Sequence, residues 1–260
     1  MAATSAGLEV VVEGARVDAS GREPLLEGLS LRIPPGEQVA LVGPSGAGKT
    51  TLLRLLGAAR LADGGCVRVG GQEPAGLSAA ALRALRARIG FVHQDHALVP
   101  NLRVAQNVLF GALGSRGRLD ALRMLLSPRR SDLERAHSLL ESLGVEGLLF
   151  QRADRLSGGE AQRVAVARML FQEAELVLAD EPVASVDPAR GREVLGVLLE
   201  HARASGATVV TSLHHLELVG AGFDRVIGLR AGRLAFDGRP GAFDQQVISE
   251  LYRAEAPSDG

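Results

Sequence analysis

A glycine-rich turn between an apolar segment and a helical pattern constrains this chain more than any other feature. Residues 43–50 read GPSGAGKT and match the pattern G-x-x-x-x-G-K-[ST]. The segment 38–43 predicts a short buried strand, and the segment 50–59 predicts a helix. Chance matches rarely occur in this strand–turn–helix context, so the sequence predicts a phosphate-binding loop (P-loop) in an α/β domain.

The residue types of the turn suit the phosphates of a nucleotide. Glycines let the backbone pass close to the phosphates, and the backbone amides and the helix N-terminus face negative charge. Lys49, the single lysine of the chain, supplies a compact ammonium that can bridge the β- and γ-phosphates, while Thr50 can reach Mg²⁺. The predicted nucleotide-binding residues of the loop are Gly43, Pro44, Ser45, Gly46, Ala47, Gly48, Lys49, Thr50 and Thr51.

Size, charge and cysteine content exclude several classes of protein. A chain of 260 residues, of which 46% are hydrophobic and 23% are charged, is long enough for one domain that carries a subdomain. A net charge of -1 lacks the positive excess of a general nucleic-acid binder. The single cysteine, Cys66, can form no internal disulfide. Because no apolar stretch is long enough to cross a bilayer, we expect a cytosolic chain that can dock on a membrane protein.

The hydrophobic pattern divides the chain into an α/β core with two additions. Alternating apolar and polar residues over 8–33 predict an antiparallel edge sheet. Arginine-rich, glycine-broken helices follow the first part of the core, and Ser131 with Glu134 predicts a capping box at the start of one of them. The predicted organisation is a single domain over 1–260, with the core and its N-terminal β subdomain at 8–94 and 157–230, a helical subdomain at 95–156 and a short C-terminal tail at 231–260.

Two adjacent carboxylates end a second apolar run, LVLADEP at 176–182. A buried strand would place Asp180 where it can hold Mg²⁺ through water, and Glu181 where it can orient or deprotonate the attacking water. An acidic pair in such a place is by itself more often a helix N-cap. Together with an upstream P-loop, however, it is the expected second half of a site that hydrolyses a nucleoside triphosphate.

A second glycine-rich turn, LSGGE at 156–160, is the most discriminating feature. Ser157 and Glu160 predict a capping box, so the turn starts a helix whose N-terminal amides form a second anion site. Here the chain resembles the ABC-type ATPases, whose signature LSGG-x-Q is matched by 156–159 and followed by Glu160, Ala161 and Gln162. The resemblance extends over about residues 8 to 240. It implies that Ser157, Gly158 and Gly159 contact the γ-phosphate held by a partner's P-loop, with two ATP molecules between head-to-tail subunits.

The same resemblance assigns roles to single residues. Gln94 matches a glutamine that contacts Mg²⁺ and senses the transporter subunit, and Asp187 matches a loop that crosses the dimer interface. His214 matches a histidine that hydrogen-bonds the γ-phosphate. We expect His215 on the opposite face of the predicted strand 208–214, because side chains alternate along a strand. The resemblance thus implies ATP and Mg²⁺ as cofactors, catalytic roles for Glu181, His214 and Lys49, and Mg²⁺ ligation by Thr50, Gln94 and Asp180.

One departure from the family concerns the adenine base. ABC ATPases usually stack adenine on an aromatic residue upstream of the P-loop, but the first aromatic residue of this chain is Phe91. The segment 16–20 (RVDAS) occupies that place, and Arg16 and Val17 are the candidates to cover the base. A missing ring removes about 1 kcal/mol of stacking energy, which corresponds to about a fivefold loss of affinity.

The transported substrate is indicated only by resemblance. The segments 117–123, 151–157, 180–188 and 212–230 are similar to the ATPase subunit of phosphonate importers. This implies a separate membrane permease, an associated substrate-binding protein, and a peripheral position at the cytoplasmic face of the inner membrane. A groove beside Gln94 would receive a permease helix.

Other readings stay open at this point. The chain could serve an amino-acid, methionine or lipoprotein system. A soluble ABC ATPase of DNA repair or translation would need a long coiled coil or tandem cassettes, which 260 residues do not offer. The arginine-rich stretch 116–130 could meet acidic permease loops or lipid headgroups, or form a solvated surface.

Overall fold

Two β-sheets carry the fold of the computed structural model, which describes residues 7–19 and 22–253. The smaller sheet is antiparallel, with strand order β2-β1-β4, and the larger one has the order β5-β6-β7-β3-β8-β9. In the larger sheet, β9 runs antiparallel to β8 and the other pairs are parallel. The strands are β1 (Val10–Ala19), β2 (Arg22–Ile33), β3 (Gln38–Val42), β4 (Gly64–Val69), β5 (Ile89–Val92), β6 (Leu176–Asp180), β7 (Thr208–Ser212), β8 (Arg225–Arg230) and β9 (Arg233–Gly238).

Helices cover the larger sheet and form the insert between β5 and β6. The α-helices are α1 (Lys49–Leu56), α2 (Ala79–Ala87), α3 (Val104–Leu109), α4 (Arg118–Leu126), α5 (Arg130–Ser142), α6 (Gly158–Gln172), α7 (Pro188–Ser205) and α8 (Gln245–Leu251). Helices α3, α4 and α5 follow one another, and α3 and α5 pack against α6. Within 7–19 and 22–253, no helix is both long and apolar enough to span a bilayer.

The antiparallel sheet packs its apolar face against the helix that follows the P-loop. Val10 pairs with Ile33, and Val12 pairs with Leu31. All four side chains are buried in one cluster with the leucines of α1. The alternation over 8–33 therefore predicted this sheet correctly, and β4 adds a third strand to it.

The larger sheet determines where the chemistry can take place. Every residue of β3, β6 and β7 is buried, as expected for central parallel strands covered on both faces. The carboxyl ends of β5, β6, β7 and β3 meet at one edge, the usual place for a ligand in an open α/β sheet. At this edge, β5 is followed by the segment of Gln94, and β6 ends at the carboxylate pair. The segment of His214 follows β7, and the P-loop follows β3.

Two local features differ from the sequence pattern. The capping box predicted at Ser131 and Glu134 is wrong, because α5 begins at Arg130 and the Asp132 carboxylate accepts a hydrogen bond from the Arg129 N–H at 3.3 Å. The C-terminal tail predicted after residue 230 contributes β9 to the larger sheet, as its β-rich pattern predicts, and also contains α8, which packs on β8 and β9. The predicted α/β fold with an antiparallel β sheet and inserted helices is otherwise observed.

Candidate functional site

The P-loop can adopt its conformation only because two of its residues, which face neighbouring backbone, are glycines without a side chain. Gly43 (φ 148°) and Gly48 (φ 98°) have backbone angles that side chains disfavour. A Cβ on Gly43 would collide with the Leu229 carbonyl oxygen, and one on Gly48 would lie 2.7 Å from the Leu25 carbonyl oxygen. The two sheets therefore hold the loop between them at the N-terminus of α1.

The ammonium of Lys49 is buried inside this loop. The residue is 8% exposed, and its Nζ donates to the carbonyl oxygens of Gly43 at 2.7 Å and Pro44 at 3.1 Å. Burial lowers the pKa of Lys49, while the charges of Glu181 and Asp180 act in the opposite direction. A phosphate oxygen arriving at the loop would take over contacts that these carbonyls now make.

A serine on β7 joins the two adjacent carboxylate residues. Asp180 is 5% exposed, and its Oδ1 accepts a hydrogen bond from the Ser212 Oγ at 2.8 Å. The same Ser212 Oγ accepts the Glu181 N–H at 2.9 Å. Sequence reasoning missed Ser212. Its position at the end of the predicted strand 208–214 was the available signal, since that strand end had to lie near the end of β6.

The three predicted metal ligands line one cavity. Thr50, Gln94 and Asp180 surround a space of about 310 Å³. Their hydroxyl, amide and carboxylate oxygens are the hard donors that Mg²⁺ prefers, so these residues fit that ion. The Gln94 Nε2 also donates a long hydrogen bond of 3.4 Å to the Glu181 Oε2. The chain thus brings Gln94, Thr50 and both carboxylate residues to one place.

The structure places His214 beyond the end of β7. The strand ends at Ser212, and both His214 and His215 are exposed. Their rings pack edge to face with centroids 5.7 Å apart. The predicted separation of the two rings onto opposite faces is therefore wrong, because strand alternation does not extend past Ser212.

The second glycine-rich turn forms the predicted capping box. The Ser157 N–H and Oγ each donate to the Glu160 Oε2 at 2.8 Å, and the Glu160 N–H donates to the Ser157 Oγ at 3.4 Å. The backbone bond and then the hydroxyl bond from Ser157 lower the pKa of Glu160. Ser157 and Gly158 are exposed, and among the described residues no hydrogen bond joins this turn to the P-loop.

The segment 184–187 lies against the second glycine-rich turn, residues 156–160, which we call the signature turn. A Cβ on Gly159 would be 3.2 Å from the Val186 Cγ1. Asp187 caps α7, because its Oδ1 accepts the Arg190 N–H at 3.1 Å. Asp187 is exposed, and its observed contact is that of a helix N-cap.

The segment after Gln94 also contacts α6. His96 and Ala97 both adopt left-handed backbone conformations. The His96 Nε2 lies 3.1 Å from the Gly158 carbonyl oxygen. Arg168 of α6 donates to the carbonyl oxygens of His96 at 2.8 Å and Ala97 at 2.6 Å. The strained segment is therefore held by the helix that begins at the signature turn.

Two further residues contact the site, and sequence reasoning assigned them no role. Gln162 is 1% exposed and touches the backbone of Glu181 and Ser185. Tyr252, the single tyrosine, follows α8, and its hydroxyl accepts the Gly43 N–H at 3.1 Å. Gln162 was named in the match to the signature, but the partners of Gln162 and Tyr252 leave no signal in local sequence, because each contact joins segments far apart along the chain.

The candidates for covering the adenine base differ in exposure. Val17 is fully buried in the antiparallel sheet, so the expectation that it could cover the base is wrong. The Arg16 side chain is exposed and its Nε donates to the Asp18 Oδ1 at 2.7 Å. Ser20 lies outside the described residues.

Comparison with known proteins identifies the family. The model of the family described as ABC transporter matches residues 26–184. The chain belongs to this ABC transporter family. The match includes the P-loop, Gln94, the signature turn and both carboxylate residues.

Individual ABC proteins are similar over nearly the whole chain. The phosphonates import ATP-binding protein PhnC 2 of Pseudomonas aeruginosa (strain UCBPP-PA14) is 48% identical, over 92% of this chain and 88% of its own length. The PhnC protein of Frankia casuarinae is 46% identical, over 90% and 92%. A bacterial ABC transporter cassette solved as a dimer superposes with a TM-score of 0.80 at 27% identity, covering 89% of this chain and 98% of that one.

Proposed function

We propose that this ABC protein is the ATP-hydrolysing subunit of an importer for phosphonates, and that two copies of it drive a separate membrane permease. The observation that carries the ATPase assignment is the meeting of the P-loop, Asp180 and Glu181 at one edge of the sheet. The printed names of the PhnC relatives support the cargo. An importer ATPase of this kind would lie at the cytoplasmic face of the membrane.

The residues of one chain divide the work of hydrolysis. The P-loop amides and Lys49 bind the β- and γ-phosphates. Thr50, Gln94 and Asp180 would hold Mg²⁺, which would neutralise charge that develops on the phosphate oxygens. Glu181 orients the attacking water and accepts its proton, and His214 donates a hydrogen bond to the γ-phosphate.

The signature turn completes the site of a second copy. Gly158 and Gly159 start a helix and present backbone N–H donors to an anion. Ser157 would turn its hydroxyl from Glu160 to that anion. Because the turn is exposed and makes no hydrogen bond to its own P-loop within the described residues, we assign it to the nucleotide of a partner subunit. Asp187 would then lie at the subunit interface. The dimeric bacterial cassette supports this arrangement.

We infer that a permease helix binds in a cleft beside the segment of Gln94. It has a volume of about 660 Å³ and separates β5 from the helical insert. Phe91, Phe110 and Met169 give it apolar walls, and Ala97 and Arg168 lie at the strained segment. Arg168 belongs to α6, the helix that begins at the signature turn. A permease helix bound in this cleft could therefore influence how the signature turn closes on ATP.

The cargo can be tested in proteoliposomes that contain this chain with the permease and binding protein encoded beside it. We expect a simple alkylphosphonate to stimulate both ATP hydrolysis and uptake, and Glu181→Gln to abolish both. Vigorous hydrolysis without a phosphonate response would keep the ATPase assignment. It would also favour an amino-acid, methionine or lipoprotein cargo over phosphonate, and the same vesicles can test these alternatives.

Ser212→Ala is expected to lower kcat about tenfold or more with little change in the KM for ATP. The substitution removes the hydroxyl that holds the Asp180 carboxylate and the Glu181 N–H together. Steady-state hydrolysis over a range of ATP concentrations measures both constants. Ser205→Ala is the matched control, because in the part of the chain that the structure describes the Ser205 Oγ donates to carbonyl oxygens of α7 alone, at 3.1 Å. Equal kcat values for the two variants would contradict the role of Ser212.

A further inference from the structure

A buried amide joins three parts of the nucleotide site. Gln162 lies in the first turns of α6, and its side chain is almost completely enclosed. Its Nε2 donates to the Glu181 carbonyl oxygen at 2.9 Å. Its Oε1 accepts the Ser185 N–H at 2.9 Å. One side chain therefore bonds the signature helix to the residue after β6 and to the segment that leads to α7.

The backbone of Glu181 needs such support. Its φ of 50° is left-handed, which is uncommon for a residue other than glycine. Such a conformation persists only where the surroundings hold it. Ser212 accepts the N–H of Glu181, and Gln162 donates to its C=O. The Glu181 carbonyl oxygen also accepts the Ala184 N–H at 3.2 Å within the same turn. Of the three hydrogen bonds that hold the Glu181 backbone, those of Ser212 and Gln162 therefore come from other elements.

Helix α6 can transmit movement from the signature turn to Gln162. The helix begins immediately after Ser157, and residues 164–167 are buried in the core. A packed helix moves as a unit, because its side chains have little free volume around them. A shift of the exposed turn when it meets an anion would therefore displace Gln162, and with it the carbonyl of Glu181.

We propose that Gln162 is a positioning residue that couples the signature turn and the segment of Ser185 to Glu181. Engagement of the signature turn then sets the orientation of the water-activating carboxylate in the same chain. In a dimer whose signature turn contacts the partner's ATP, this contact links the two ATP sites. The inference rests on the proposed function, because it requires Glu181 to act on water.

The first test compares two buried glutamines. Gln162→Met keeps the length of the side chain and removes both hydrogen bonds. Gln38→Met is the control, because Gln38 is 0% exposed and its Nε2 donates to the Leu199 carbonyl oxygen at 3.0 Å, at the start of β3 and away from the P-loop. We expect Gln162→Met to lower kcat about 10- to 100-fold with the KM for ATP changed less than about twofold. The control should keep the wild-type kcat.

A second variant isolates the bond to Glu181. Gln162→Glu keeps an acceptor for the Ser185 N–H, and its ionised carboxylate cannot donate to the Glu181 carbonyl. Burial raises the pKa of such a carboxyl, and its protonated form restores the donor, so kcat relative to the wild type should fall as the pH rises while the KM for ATP stays nearly unchanged. This variant supplies the measurement if Gln162→Met does not fold, and a wild-type kcat at every pH would overturn the proposal.

A double-mutant cycle separates positioning from general loss of structure. In single-turnover hydrolysis, Gln162→Met should reduce the rate strongly in the wild-type chain and less than about twofold in the Glu181→Gln chain. Equal fold-reductions in both backgrounds would show that Gln162 does not act through Glu181. If Glu181→Gln itself hydrolyses ATP at the wild-type rate, the proposed function fails, and the inference fails with it. If Glu181→Gln is inactive but Gln162→Met matches Gln38→Met, only the inference fails.

Discussion

Glu181→Gln is expected to lower ATP turnover by about 10²- to 10⁴-fold and to leave ATP binding within about twofold of wild type. The amide keeps the shape of the side chain and an oxygen that can accept from Gln94, but it cannot take a proton from water. In the proposed dimer, ATP-bound pairs should therefore accumulate. Steady-state hydrolysis, nucleotide binding and the molar mass in the presence of Mg·ATP measure these three effects.

Glu134→Gln is the matched control for this change. Glu134 is exposed and pairs with Arg130 on α5, away from the P-loop, and such a surface pair contributes little to stability. Its turnover should equal that of the wild type. A Glu181→Gln protein that hydrolyses ATP as fast as this control would remove Glu181 from the role of base.

Lys49→Ala is expected to weaken ATP binding about 10- to 100-fold and to lower turnover by about 10²- to 10³-fold. The ammonium is the charged donor that the P-loop holds ready, bonded to the carbonyl oxygens of Gly43 and Pro44. A ligand that binds the folded chain raises its Tm. Mg·ATP should therefore raise the Tm of the wild type but hardly that of Lys49→Ala.

Lys49→Arg tests whether charge alone is sufficient. The guanidinium retains the charge, but its planar fork does not match the two carbonyl contacts of a compact ammonium. We expect this variant to be nearly as inactive as Lys49→Ala. Wild-type ATP affinity in Lys49→Ala would show that the buried lysine does not contact the nucleotide.

The residues that could be predicted from the sequence alone lie in short contiguous motifs. The P-loop, the pair Asp180–Glu181 and the capping box of Ser157 each occupy a few consecutive positions. Their chemistry needs backbone amides, glycines and side chains from one turn, and such a turn has a recognisable pattern. The apolar runs beside them predicted the parallel strands. Because the carboxyl ends of parallel strands share an edge, the P-loop and the pair Asp180–Glu181 had to converge.

Tertiary structure alone decided which side chains hold those motifs in place. Ser212 reaches Asp180 and Glu181 from a neighbouring strand, Gln162 reaches Glu181 from a helix, and Tyr252 reaches Gly43 from near the end of the chain. Tertiary structure also ended β7 before His214. Local patterns in the sequence determined the family and the fold, and they indicated the candidate reacting residues. The supporting contacts depended on the packing of distant elements, and an ordinary serine, glutamine or tyrosine has no local pattern that announces such a contact.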